Sequence, residues 1–172
     1  MMARFTSCQP SQMSREEFVS QFADVYEHSP WVAEKVYDNG LSDADDDISI
    51  LHARMADTLL SASKEEQLAL INAHPDLAGK AAVNGELTEA STAEQAGAGI
   101  SQCSPEEFEK FNRYNDSYKA RFQFPFIMAV KGANRYQILE SFEARLGNEI
   151  EAEFDKALEE INKIALFRLQ TM

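Results

Sequence analysis

Ser104-Pro-Glu-Glu-Phe-Glu-Lys-Phe-Asn-Arg-Tyr-Asn-Asp-Ser-Tyr-Lys-Ala-Arg-Phe122 decides the fold class of this chain. Ser104 stands where an N-cap belongs, Pro105 takes the first helical position, and Glu107 can return a bond to the cap's own amide. Phe108, Phe111, Asn115, Tyr118 and Phe122 then step by three and four residues, the spacing of one helix face.

The same punctuation recurs outward from this stretch. Ser14-Arg-Glu-Glu17, Ser63-Lys-Glu-Glu66 and Asn134-Arg-Tyr-Gln137 each set a hydroxyl or amide oxygen three residues ahead of Glu or Gln. Ser29-Pro30 predicts another helix with proline at its first position, and Asn39-Gly40 predicts a stop. Asp43-Ala-Asp-Asp-Asp47 predicts a charged helix start, because carboxylates favour the positive end of the helix dipole. Apolar stripes run through Ile48, Leu51, Met55 and Leu59, and through Ile150, Phe154, Leu158, Ile161 and Ile164. Only Phe124-Pro-Phe-Ile-Met-Ala-Val130 departs: a short apolar run with a proline inside predicts an extended segment, not a paired strand. The expectation is an all-α, single-domain helical bundle with one short extended apolar segment.

Composition narrows the function classes. A chain of 172 residues, 44% hydrophobic and 26% charged, is long enough for a sizeable core without staples. Its net charge of −13 repels phosphate backbones and anionic membranes, so neither nucleic acid nor a membrane is an expected partner. An anionic small substrate would need a local cation. Cys8 and Cys103 make no metal or redox spacing and fit a reducing compartment, with a single disulfide left open. The first residues lack the apolar core of a signal peptide and no run reaches transmembrane length, so the expected location is the cytoplasm.

Chemistry points to His74-Pro75-Asp76-Leu77 and, seventeen residues after the histidine, Ser91-Thr-Ala-Glu94-Gln95. An imidazole with an ordinary pKa of about 6.5 moves protons at neutral pH, and Pro75 stiffens the backbone beside it. His74 ends a helix that begins at Ser63, a common place for functional side chains; interaction with the helix dipole is its structural alternative. Ser91 and Glu94 also read as one more capping box, although the small residues Ala96-Gly-Ala-Gly99 after Gln95 permit close approach of a ligand. Phe124 to Ile127 read either as core aromatics or as an unpaired backbone edge, able to meet a flat polar heterocycle between apolar walls. His28 and His52 read as surface or packing residues. With His74 they are too widely spaced for a helical ligand pair, and no metal is expected.

HPDLAGK (74–80), STAEQAGAG (91–99), YKARFQFPFI (118–127) and ALEEINKIALFRL (157–169) together resemble the 2-oxo-4-hydroxy-4-carboxy-5-ureidoimidazoline (OHCU) decarboxylases. The resemblance runs from about Phe18 to Leu169. Residues 1–13 match nothing in it and are expected to be a flexible tail ahead of a domain over 14–172. The resemblance implies an all-helical, cofactor-free, often homodimeric enzyme of urate breakdown, which converts OHCU to (S)-allantoin and carbon dioxide. It implies His74 and Glu94 as catalytic residues. Pro75, Ser91, Gln95 and the backbone of Phe126, Ile127, Met128, Ala129 and Val130 are implied as the substrate's surroundings. Arg168 is the favoured partner for the substrate carboxylate and Arg145 its rival, each in phase with an apolar stripe. Two other readings stand beside this one: a hydrolase of a related ureido compound using the same His74 and Glu94, and a non-catalytic helical binding scaffold.

Overall fold

The capping boxes at Ser14, Ser63, Ser104 and Asn134 form in the computed structural model, which describes residues 3–74, 76, 94, 99 and 103–172; the one read at Ser91 lies outside the described residues. The boxes that form open α1 (Arg15–Phe22), α4 (Lys64–Ala73), α5 (Pro105–Phe122) and α6 (Arg135–Arg145). The other α-helices with both ends among the described residues are α2 (Trp31–Asp38), α3 (Ile48–Leu60) and α7 (Ile150–Gln170), with short 3-10 turns at Pro10–Gln12, Ala23–Val25 and Asp43–Asp46. Among the described residues no strand forms, and a single antiparallel bridge joins Arg4 to Asp47. The fold is all-α, and residues 124–130 run as the unpaired extended segment that the proline predicted.

Two local readings shift. Helix α2 starts at Trp31, with Pro30 as its cap, one residue later than proline at N1 would place it. His28 just before it is left-handed at φ +49°, and the buried Ser29 hydroxyl donates back to the Glu27 carbonyl at 2.9 Å. An oxygen turned that way does not cap. The Asp43–Asp47 run divides its labour instead of simply facing a dipole. Asp45 pairs with Arg54 at 2.7 Å, Asp46 accepts from the Ser11 amide at 2.8 Å and hydroxyl at 2.7 Å, and Asp47 caps α3 through the Ile50 amide at 3.1 Å. Asn39-Gly40 stops α2 as read, with Gly40 at φ +89°.

The chain packs as two compact units, Met1–Ala73 with Ile161–Met172, and His74–Glu160. The first buries Phe18, Phe22, Leu51, Met55, Leu59 and Leu70 completely or nearly so. Phe5 meets the Phe22 ring edge-on at 5.5 Å. His52 packs with a ring nitrogen 2.7 Å from the Asn162 carbonyl, in keeping with a structural role. The second unit has an aromatic core, with Tyr118 contacting the rings of Phe122, Phe124, Phe126 and Phe142. The α5 stripe is buried at Phe111, Asn115, Tyr118 and Phe122, as its spacing required. The α7 stripe is buried at Leu158, Ile161 and Ile164, while Ile150 in its first turn is exposed.

Asp46 makes the first unit sensitive to acid. Burial is the largest single influence on its carboxyl and pushes it up. The Ser11 and Gln9 hydrogen bonds and the Arg4 guanidinium together outweigh that and hold it below the ordinary 3.8. A depressed folded-state pKa contributes stability above the unfolded value, and that contribution is lost as pH falls through the folded one. Asp46→Asn is therefore expected to lower the urea midpoint at neutral pH, with the gap to the parent chain closing below 3.8. A pH-independent gap in urea titrations would contradict the assignment.

Candidate active site

Helix α4 ends at Ala73, and His74 follows it, buried at 9% exposure. Pro75, Ser91 and Gln95 lie outside the described residues. Asp76 accepts an ion pair from Lys119 of α5 at 2.6 Å. Both side chains are partly exposed, so the pair contributes at most about 1 kcal/mol. Its effect is directional, since it fixes the chain just past the histidine. Glu94 is helical and half-buried.

The extended segment owes its path to the end of α5. Gln123 takes the left-handed conformation at φ +65° and closes the helix on the Lys119 carbonyl, and Pro125 disfavours helical backbone at Phe124 before it. Phe126 then stacks on Phe142 at 3.7 Å between centroids, with Tyr118 edge-on to it at 5.3 Å. Beneath these rings lies Glu153 of α7, 1% exposed. Its Oε1 accepts from the Tyr118 hydroxyl at 2.6 Å and from Arg145 Nε at 2.8 Å, and its Oε2 accepts from Asn148 Nδ2 at 2.9 Å. Burial first, and the bond to Glu153 second, push the Tyr118 hydroxyl well above the ordinary tyrosine range. Arg145 spends another nitrogen, Nη1, on the Ile127 carbonyl at 2.6 Å and lies 4.3 Å over the Phe126 ring.

A second carboxylate of α7, Glu160, accepts the Ala129 amide at 3.3 Å. The Val130 carbonyl is taken by the Ala133 amide at 3.0 Å. The backbone edge anticipated from the sequence is thus partly spent on the protein itself. At Met128, between the anchored groups, neither amide nor carbonyl has a hydrogen bond among the described residues.

Both arginines considered for a substrate carboxylate are buried and each meets a buried glutamate. Arg168 Nη2 lies 2.9 Å from Glu27 Oε2, and its Nη1 donates to the Asp24 carbonyl at 2.9 Å. Arg145 has Glu153. In the unit of Met1–Ala73 with Ile161–Met172, a cleft of about 490 Å³ is lined by residues including Lys35, Arg54 and Asp57. Its cations are occupied, Lys35 by Glu66 and Arg54 by Asp45, which leaves it little call on an anion.

The profile of the OHCU decarboxylase family matches residues 11–170. The chain belongs to this family. The OHCU decarboxylase of Halalkalicoccus jeotgali is 39% identical over 171 residues, covering 99% of this chain and 93% of the relative. That of Haloferax volcanii is also 39% identical, covering 98% and 96%. A crystal structure of (S)-allantoin synthase superposes with a TM-score of 0.73 at 34% identity, over 94% of this chain and 52% of that one, so the chain spans about half its length. An OHCU decarboxylase crystallised with (S)-allantoin shares the fold at a TM-score of 0.67 and 20% identity, over 82% of this chain and 89% of that one.

In this family member the sequence reading missed Glu153 and Glu160. Their signal is a seven-residue spacing that sets two acids among Ala157, Leu158 and Ile161 on the buried side of α7. Removing one partner of a buried ion pair leaves the other charge uncompensated, at about 3–5 kcal/mol. Glu153→Ala is expected to lose about that much stability in chemical denaturation. A loss below about 1 kcal/mol, the worth of an exposed pair, would show that Arg145 is otherwise satisfied.

Proposed function

We infer that this chain is a cofactor-independent carboxy-lyase of urate degradation that converts OHCU to (S)-allantoin and carbon dioxide. Family membership across residues 11–170 carries the inference, and it selects the decarboxylase over the hydrolase and the scaffold. The activity is assigned to the domain over residues 14–172.

Loss of carbon dioxide breaks a carbon–carbon bond and leaves its electron pair on the substrate. The adjacent ring imine takes up that pair. That leaves an enol-type intermediate, and one proton must then be delivered to the former imine carbon, on one face, as the enol hydroxyl gives up its proton and becomes a carbonyl. His74 is assigned to the substrate hydroxyl and to that proton transfer, because imidazole both donates and accepts near neutral pH. Glu94 is assigned to fixing the imidazole and substrate geometry. Pro75, Ser91, Gln95 and the backbone of Phe126 to Val130 are assigned to the ureido and ring edges. Arg168 is assigned to the substrate carboxylate through paired N–H donors. Too strong a hold there would stabilise the ground state as well, so its work is mainly positional.

Membership of this family is accompanied here by the absence, among the described residues, of any helix long and apolar enough to cross a membrane. The enzyme is proposed to act in the cytoplasm as a homodimer. Light scattering after size exclusion should return twice the chain mass.

Circular dichroism of freshly generated OHCU tests the activity directly. With the parent chain, the (S)-allantoin signal should rise much faster than in spontaneous decay. His74→Ala should reduce that rate by about a hundredfold or more, the usual scale of acid–base catalysis, while remaining folded. Racemic decay at the uncatalysed rate in the presence of folded parent chain would refute the decarboxylase reading, and parental turnover by His74→Ala would refute the histidine's role.

A further inference from the structure

The decarboxylase reading leaves open how an unpaired stretch of backbone keeps one orientation toward a flat substrate. In a sheet, neighbouring strands would hold it; here none is present among the described residues. Two side-chain contacts do that work instead. Arg145 Nη1 holds the Ile127 carbonyl at 2.6 Å, and Glu160 Oε1 holds the Ala129 amide at 3.3 Å.

Those contacts flank a single residue. The Ile127 carbonyl shares its peptide plane with the Met128 amide, and the Ala129 amide shares its plane with the Met128 carbonyl. Among the described residues no peptide bond is cis. In a planar trans peptide the N–H and the C=O point in opposite directions. Drawing the Ile127 carbonyl toward Arg145 therefore turns the Met128 amide away from it. Drawing the Ala129 amide toward Glu160 turns the Met128 carbonyl away in the same manner. The result at half-buried Met128 is a donor and an acceptor on one residue, neither of them bonded to a described residue.

We propose that Arg145, braced by Glu153, and Glu160 are positioning residues that fix the two peptide planes around Met128, so that its amide and carbonyl pair with a lactam or ureido edge of the substrate. The inference rests on the decarboxylase reading and adds to it the residues that set the recognition geometry. An N–H beside a C=O on the ligand is the complement of this pair. Preorganisation is the benefit, because the planes do not have to be ordered when substrate arrives. Glu153 supports this indirectly. It fixes the Arg145 guanidinium through Nε, with Tyr118 and Asn148 completing its own bonds, and so leaves Nη1 aimed at Ile127.

The test combines kinetics on OHCU with amide NMR of the labelled full chain titrated with (S)-allantoin. In the parent chain the Met128 amide should move downfield on saturation. Glu160→Leu removes the acceptor for Ala129 and should raise KM at least fivefold, with a smaller change in kcat and loss of the Met128 shift. Glu160→Gln keeps an amide oxygen in that place and should restore KM to within twofold of the parent. Arg145→Lys replaces the planar fork, whose Nε and Nη1 reach Glu153 and Ile127 separately, by a single nitrogen that fixes neither direction, and should raise KM in the same way. It supplies the reading if Glu160→Leu does not fold. A Met128 amide that stays still while other amides report binding would overturn the proposal, as would parental KM in folded Glu160→Leu or Arg145→Lys. A parent chain that neither turns over OHCU nor binds allantoin would overturn the decarboxylase reading and this inference with it.

Discussion

A carboxylate almost wholly withdrawn from water is the constraint on which the His74–Glu160 unit depends. Glu153 sits under an aromatic core where an isolated charge would cost several kcal/mol. It persists because three donors converge on its two oxygens, from Tyr118, Arg145 and Asn148. Each donor then inherits a fixed place. The guanidinium of Arg145, pinned by Nε and spread over the Phe126 face, has its Nη1 against the Ile127 carbonyl. In this way a buried ion pair, a weak source of net stability, becomes a source of geometry for a segment that no sheet supports.

The other unit meets the same problem. Arg168 and Glu27 neutralise each other, and the carbonyls of Asp24 and Val25 absorb a further guanidinium nitrogen. Beside them His28 holds a left-handed conformation that turns the chain into α2. The acids of Asp45 to Asp47 are likewise each committed, to Arg54, to Ser11 and to the start of α3. A strong negative net charge thus coexists with buried carboxylates because each of these carboxylates has at least one ion-pair or hydrogen-bond partner.

Legibility followed the range of the interaction. A capping box closes within four residues, so Ser14, Ser63, Ser104 and Asn134 were readable, and the helix faces were readable from period alone. His74, Glu94 and the run after Phe124 stood out as motifs, and the roles given them came from a whole-chain resemblance that the family match bears out at the level of the family. Arg145 and Arg168 were both placed on buried stripes by phase, and both are buried. Their acidic partners were not readable. Glu153 lies 8 residues from Arg145 but on the next helix, and Glu27 lies far along the chain from Arg168, and no capping or single-helix rule couples such positions. Ser29 misled because its hydroxyl's direction depends on the backbone turn at His28, which residue preference does not disclose.

The sequence by itself determined the all-α class, the sites of helix initiation, the break at Pro125 and the family, since these rest on contacts a few residues long or on the order of motifs. Only the tertiary structure decided which buried acid answers which arginine, and which peptide groups of the extended segment are spent inside the protein. Those choices depend on removing charged and polar groups from water together. Once desolvated, such a group must find its partner across the packed core, wherever in the chain that partner lies.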